Sequence, residues 1–196
     1  LTKKNRIIII ENSNEKINNF ILKNKNIEIY NVENKGYAGS INFARTKINT
    51  KYFFVFNPDV DEISDEVIEY FFQKAKELNN KFSCLGPRYK NISSKTLIQS
   101  NPKKKICELK SISGAAMFFH TLNFDKIGGF DENFFLYFEE TDFCLRARKL
   151  GLISYQLNEI KLLHYVGTSV DFANESEKEK IKKLYIWHFI WSKFYF

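Results

Sequence analysis

The sequence predicts an α/β protein, a mostly parallel central sheet with helices packed against it. Three observations carry this. Short runs of β-branched and aromatic residues, bounded by Gly, Pro, Asn and Ser, alternate along the chain with segments of helical spacing. A balance of 44% hydrophobic and 27% charged residues, with 16% aromatic, is that of a packed chain rather than a disordered one. The length of 196 residues, with no internal repeat and no linker, is that of one domain.

Taken in order, the continuous run Arg6 to Ile10 reads as a buried strand. Residues 15–23 read as a helix and Ile27 to Val32 as a second strand. The Gly-containing segment Asn34 to Ser40 reads as a loop leading into a helix over Ile41 to Ile48. Tyr52 to Phe56 is a strongly apolar strand stopped by Asn57-Pro58-Asp59. Ser64 caps a helix that runs on to Leu78. A short strand at Ser83 to Leu85 ends at Gly86-Pro87, and Asn91 to Glu108 is a polar surface loop or small hairpin. Ile112 to His120 returns as a strand, then a short helix closes at Gly128-Gly129. A helix over Glu139 to Leu150 ends at Gly151, and Lys161 to Tyr165 is a late strand.

The net charge of +7 raises nucleic acid as a partner. The lysines are scattered, however, and the densest run, Lys103-Lys104-Lys105, sits beside Pro102 in a loop. The expectation is no nucleic acid; phosphate-bearing ligands or an anionic membrane suit the charge equally well. Three cysteines, with no CxxC pair, point to a reducing, cytoplasmic compartment. The run Ile7 to Ile10 is too short for a signal peptide, and no stretch reaches the length of a spanning helix.

Three constellations can carry chemistry. In open α/β sheets ligands bind beyond the carboxyl ends of strands, where Asn57-Pro58-Asp59-Val60-Asp61 lies. An acid there can hold a hard divalent cation; the same composition also makes a plain turn. The second is the run Phe134 to Phe138 delivering Glu139, Glu140 and Asp142 to the first turn of a helix. Acidic residues there complement the helix dipole, but crowded carboxylates among aromatics also acquire the raised pKa of a general base. The third is His164, either a structural histidine or a neutral imidazole completing a metal site with Asp59.

The order of these pieces resembles the family 2 glycosyltransferases, in particular their rhamnosyltransferase-like branch. The resemblance rests on Asn34-Lys35-Gly36-Tyr37-Ala38-Gly39-Ser40-Ile41-Asn42, Phe56-Asn57-Pro58-Asp59-Val60 and Ser113-Gly114-Ala115-Ala116-Met117. It also rests on Gly128-Gly129-Phe130-Asp131-Glu132 followed by Phe138-Glu139-Glu140-Thr141-Asp142, and on His164. It implies a GT-A, Rossmann-like three-layer sandwich as a single domain over residues 1–196. On this reading the usual first strand has no counterpart before Leu1, and the C-terminus stops abruptly.

The roles implied by the resemblance are as follows. Glu11 and Asn12 would contact the nucleotide base, and Asn34, Gly36 and Gly39 would line its pocket. Asn57 and Gly114 would flank the donor. Asp59 with His164 would hold Mg²⁺ or Mn²⁺ on the diphosphate of a nucleoside-diphosphate sugar, with Asp61 a competing ligand because Asp59-Val60-Asp61 is itself a DxD. Glu140 would be the catalytic base of an inverting transfer, with Glu139 and Asp142 beside it. Glu11 stands where Asp is usual, and Glu140 replaces the usual Asp of the Glu-Asp motif, moving the carboxylate by about a bond length. The acceptor would be a glycan or lipid-linked hydroxyl in surface polysaccharide assembly. The aromatic tail Trp187 to Phe196, rich in Trp, Tyr and Lys, reads either as a helix packed on the domain or as peripheral attachment to the inner face of the cell membrane. Two other functions fit less of the chain: a non-catalytic nucleotide-sugar-binding domain, and a nucleotidyltransferase, which would need a Gly-rich basic loop after its first strand.

Overall fold

In a computed structural model, residues 5–13, 24–92, 99–166 and 174–196 are described. The helix expected over residues 15–23 lies outside them. The strands are β1 (Ile7–Glu11), β2 (Ile27–Asn31), β3 (Tyr52–Phe56), β4 (Val60–Asp61), β5 (Phe82–Tyr89), β6 (Ile106–Leu109), β7 (Ala116–His120) and β8 (Ile153–His164). The helices among the described residues are α1 (Gly36–Arg45), α2 (Asp65–Glu77), α3 (Thr121–Ile127), α4 (Glu139–Lys149) and α5 (Glu175–Tyr195).

β1 and β2 pair in parallel, from Ile7 opposite Ile27 to Glu11 opposite Asn31. The larger sheet has the order β3-β7-β5-β8-β4, with β6 also on β8. β7 is antiparallel to both β3 and β5, while β5 and β8 are parallel. The strands β3, β5 and β8 therefore point one way, opposed along that path by β7 and the two-residue β4. This is the expected α/β architecture with a mostly parallel central sheet.

β7 shows how the layers form. Successive strand side chains face opposite sides of a sheet. Met117 and Phe119 enter a core with Ala38 and Ile41 of α1, Phe124 of α3 and Phe143 of α4. Ala116 and Phe118 enter a second core with Phe71 and Ala75 of α2. The phenylalanines dominate both. Phe119 contacts the rings of Phe53, Phe124, Phe130 and Phe143, and Phe118 those of Tyr52, Phe54, Phe71, Phe72 and Phe82. Truncating Phe118 or Phe119 to Ala is expected to cost about 3–5 kcal/mol of stability, read from a denaturant melt.

Several boundaries differ from expectation, each for a local reason. α1 begins at Gly36 rather than Ile41, because the Asn34 side chain accepts from Gly36 N–H (3.0 Å) and Tyr37 N–H donates to the Phe135 carbonyl (3.0 Å). β1 is half-buried rather than buried, since among the described residues it pairs with β2 alone. β5 continues through Gly86-Pro87 to Tyr89: the register shifts between Pro87 and Arg88, so the missing proline N–H falls at the irregularity. The late strand begins at Ile153. Buried polar side chains at Ser154, Gln156 and Asn158 disguise it in the sequence, yet all are bonded, Ser154 to Ser83, Gln156 to the Pro87 carbonyl and Asn158 to the carbonyls of Asn101 and Lys104. β6 pairs with this extension, giving structure to the end of the polar stretch. The cap at Ser64 and the left-handed Gly128 after α3 are as expected.

Candidate active site

β3 ends by turning past β7. Asn57 N–H donates to the Ala115 carbonyl (2.9 Å), which sets Asn57-Pro58-Asp59 beside Gly114-Ala115. β4 then pairs with the end of β8, Val60 opposite His164, and Tyr165 N–H donates to the Asp59 carbonyl (2.9 Å). This register brings the Asp59 and His164 side chains together, Nε2 to Oδ1 3.4 Å. Asn91 fixes the His164 backbone by two bonds, and the Tyr89 ring lies 5.3 Å from the imidazole.

Asp59 is buried, and its Oδ1 and His164 Nδ1 both lack a hydrogen-bond partner. Burial holds His164 below the usual histidine range, opposed by the Asp59 charge, so the ring is a neutral donor. A buried carboxylate oxygen without a partner costs free energy unless something binds it. The pair fits a hard divalent cation that takes one or two protein ligands and completes its shell with phosphate oxygens and water. Asp61 is not part of the pair. It is exposed and accepts from the Glu62 N–H (2.6 Å), and no group of three metal-ligating side chains forms among the described residues.

The second part is the start of α4. Tyr137 and Phe138 both have φ near +70°, a left-handed conformation that bulky residues rarely adopt. Such positions cost on the order of 1–3 kcal/mol each and concentrate at functional sites. The two turns deliver Glu139 and Glu140 to the helix start. Glu139 is 5% exposed, its Oε2 has no partner, and burial, reinforced by the Glu140 charge, pushes its carboxyl up to about 8. Glu140 is half-buried, accepts from the Thr141 hydroxyl (3.2 Å), and is also raised by burial. Asp142 is spoken for: it pairs with Arg146 (2.7 Å), whose other nitrogens hold the carbonyls of Ile127 and Gly129. It ties α4 to the Gly128-Gly129 turn.

A carboxyl raised above its ordinary 4.5 in the folded protein binds more protons folded than unfolded between 4.5 and about 8. Its contribution is fully present below the unfolded value and is lost as pH rises toward 8. Urea midpoints are therefore expected to fall between pH 5 and 8, and Glu139→Gln to flatten that fall; an unchanged slope in the variant would refute the assignment.

The third part is the start of α1. Asn12, just past β1, donates to Ser40 Oγ (3.1 Å) and lies 3.5 Å from the Asn34 side chain. Asn12, Asn34 and Gly36 thus meet. Glu11 turns back on its own strand end, accepting from Ser13 N–H and Oγ–H. A Cβ on Gly36 would lie 2.0 Å from the Phe135 carbonyl oxygen, and one on Gly39 2.6 Å from Lys35 Cβ, so both glycines serve packing. Tyr37 links the parts: its hydroxyl donates to the Gly114 carbonyl, and after burial the charges of Glu139 and Glu140 chiefly hold its phenol protonated.

Sequence reasoning missed Tyr37, which joins residues 77 positions apart, and the paired left-handed aromatics. It also missed Asn42, whose side chain accepts from Phe130 N–H (3.0 Å) and donates to its carbonyl (2.8 Å), pinning the turn before the acidic segment. A tyrosine and two asparagines flanking the glycines were the available signals, but nothing local assigns their partners.

No family model matches the chain. It is 28% identical over 154 residues to the low-salt glycan biosynthesis hexosyltransferase Agl10 of Haloferax volcanii, a match covering 67% of this chain. That match spans 49% of the relative, so the chain accounts for about half of the curated protein it resembles. GalNAc-T7, solved with UDP, GalNAc and Mn²⁺, superposes with a TM-score of 0.59 at 10% identity, over 81% of this chain and 37% of that one. S. aureus TarS 1–349, in complex with UDP-GlcNAc, gives 0.57 at 13% identity, over 96% and 58%. The fold is the GT-A fold. In GT-A terms, the described site occupies the carboxyl ends of β3 and β8 and the start of α4, the edge at which open α/β sheets bind ligands.

Proposed function

We propose that this chain is a family 2 glycosyltransferase of the rhamnosyltransferase-like kind. It moves a hexosyl or deoxyhexosyl unit from a nucleoside-diphosphate sugar to a glycan or lipid-linked hydroxyl during polysaccharide assembly, with inversion. One observation carries the reading. Segments far apart in the chain gather at one edge of a GT-A sheet: Asn57 bonds Ala115, Asp59 meets His164, and Tyr37, bonded to Gly114, lies within reach of the charges of Glu139 and Glu140. The likeness to a hexosyltransferase supports it.

Asp59 and His164 would hold Mg²⁺ or Mn²⁺, which when bound offsets charge on the leaving diphosphate. Asn12, Asn34 and the start of α1 would receive the nucleotide. Glu140 takes the proton of the acceptor hydroxyl as that oxygen bonds to the anomeric carbon and the nucleoside diphosphate departs from the opposite face. No protein nucleophile is needed. Three free cysteines are in keeping with a cytoplasmic site of action.

The test is a thermal-shift screen of UDP-, dTDP- and GDP-sugars with and without Mn²⁺. A matched donor at a hundred times its Kd should stabilise the protein by about 2.7 kcal/mol. Asp59→Asn should abolish the Mn²⁺-dependent part of the shift. No shift with any donor would remove the reading; a shift without sugar transfer would make the chain a nucleotide-sugar-binding domain instead.

A further inference from the structure

α5 carries two apolar faces, and only one is used by the domain. His188 stacks on Phe135 at 4.5 Å, Ser192 donates to the Leu136 carbonyl, and Tyr195 packs on Phe134 at 4.9 Å. This face buries His188 and Ser192 against the segment that leads to Glu139. The other holds Trp187, Ile190, Trp191 and Phe194, an i, i+3, i+4, i+7 stripe. Trp187 is 56% exposed, Ile190 61% and Phe194 88%. The two indole rings lie parallel, 2° apart, with centroids separated by 6.1 Å.

The same stripe continues backward into Leu184, Lys183 and Lys180, all exposed. Lys183 pairs with Glu179 only at the surface, a contact of little energy that leaves the ammonium able to turn. From Lys180 onward the helix carries Lys180, Lys182, Lys183 and Lys193 and no acid.

From this we infer that α5 docks the protein on an anionic lipid surface, its Trp187-Ile190-Trp191-Phe194 stripe entering the interface and its lysines meeting lipid phosphates. A protein partner fits less well, because the core of a protein interface is depleted of lysine and this stripe runs into two. Tryptophan and lysine side by side suit the lipid–water boundary, where the ring is partly wet and the long side chain reaches the headgroups. The helix lies on the membrane and does not cross it: no helix among the described residues is long and apolar enough to span. Tyr137, two residues before Glu139, lines a cavity of about 300 Å³ with Lys182, Tyr185, Ile186 and Phe189 of the same helix. The α5 residues of that cavity lie on the other flank of the helix from the stripe, so docking through Trp187, Ile190, Trp191 and Phe194 leaves the cavity uncovered.

The experiment is co-sedimentation of the full chain with vesicles of phosphatidylcholine alone and of equimolar phosphatidylcholine and phosphatidylglycerol. Binding is expected to the anionic vesicles, with a blue shift of tryptophan emission. The variants Trp187→Ser with Phe194→Ser, and Lys180→Glu with Lys183→Glu, alter exposed positions and leave the docked face intact. Each double variant should lower partitioning about tenfold or more. Failure of the wild type to bind anionic vesicles, or equal binding by the variants, would overturn the inference. So would a concentration-dependent dimer that the Trp187/Phe194 variant abolishes while vesicles are ignored. None of these readouts involves sugar transfer, so they fail or succeed separately from the proposed activity.

Discussion

Glu140→Gln is expected to lower sugar transfer by roughly 10²–10⁴-fold, the usual worth of a positioned general base, or about 3–5 kcal/mol of barrier. Donor binding, followed by thermal shift, should survive, because the amide keeps the size of the side chain and removes only its ability to take a proton. Glu139→Gln is the informative companion. Glu139 is nearly inaccessible and, with its carboxyl raised to about 8, is protonated at neutral pH. Glutamine imitates that state, so the rate near pH 7 should change little. The acid limb of the pH–rate profile should stay in place, because Glu140 ionises beside an uncharged neighbour in both proteins; what should disappear is the inflection near pH 8 where Glu139 itself ionises. Transfer retained in Glu140→Gln and lost in Glu139→Gln would exchange the two roles.

The second large effect is on folding. Gly36 has φ +73°, and a Cβ there would sit 2.0 Å from the Phe135 carbonyl oxygen, itself the acceptor of the Tyr37 N–H. Gly36→Ala therefore adds a left-handed strain of about 1–3 kcal/mol to an overpacking cost of similar size. We expect a loss of roughly 2–6 kcal/mol in urea unfolding. Because Phe135 lies four residues before Glu139 and stacks on His188, the variant should also weaken transfer more than its stability alone explains. A variant of normal stability would show that the start of α1 can move away from Phe135.

The strand runs at β1, β2, β3 and β7, the Ser64 cap and the Gly128 stop were legible because each is a local signal, a β-branched or aromatic run, a capping hydroxyl, a residue free to be left-handed. β8 was not. Its first half carries Ser154, Gln156 and Asn158 at buried positions, satisfied by Ser83, the Pro87 carbonyl, the Ser100 hydroxyl and the 100–104 backbone. A polar residue in a strand reads as a surface residue until its partner is known. The glycines at 36 and 39 likewise looked like ligand contacts, and the structure gives each a neighbour of its own.

Composition and spacing by themselves determined that this is a packed α/β chain whose acids cluster after a strand and at a helix start. They also determined that His164 closes a late strand, since those facts depend on residues near one another in the chain. Only the tertiary structure decided which of these meet. The β4–β8 register puts Asp59 against His164 and leaves Asp61 at the surface; Arg146 takes Asp142 out of the site; and burial separates a neutral Glu139 from an accessible Glu140. Pairing register and burial are set by contacts across the sheet and between layers, and no local stretch of sequence encodes them.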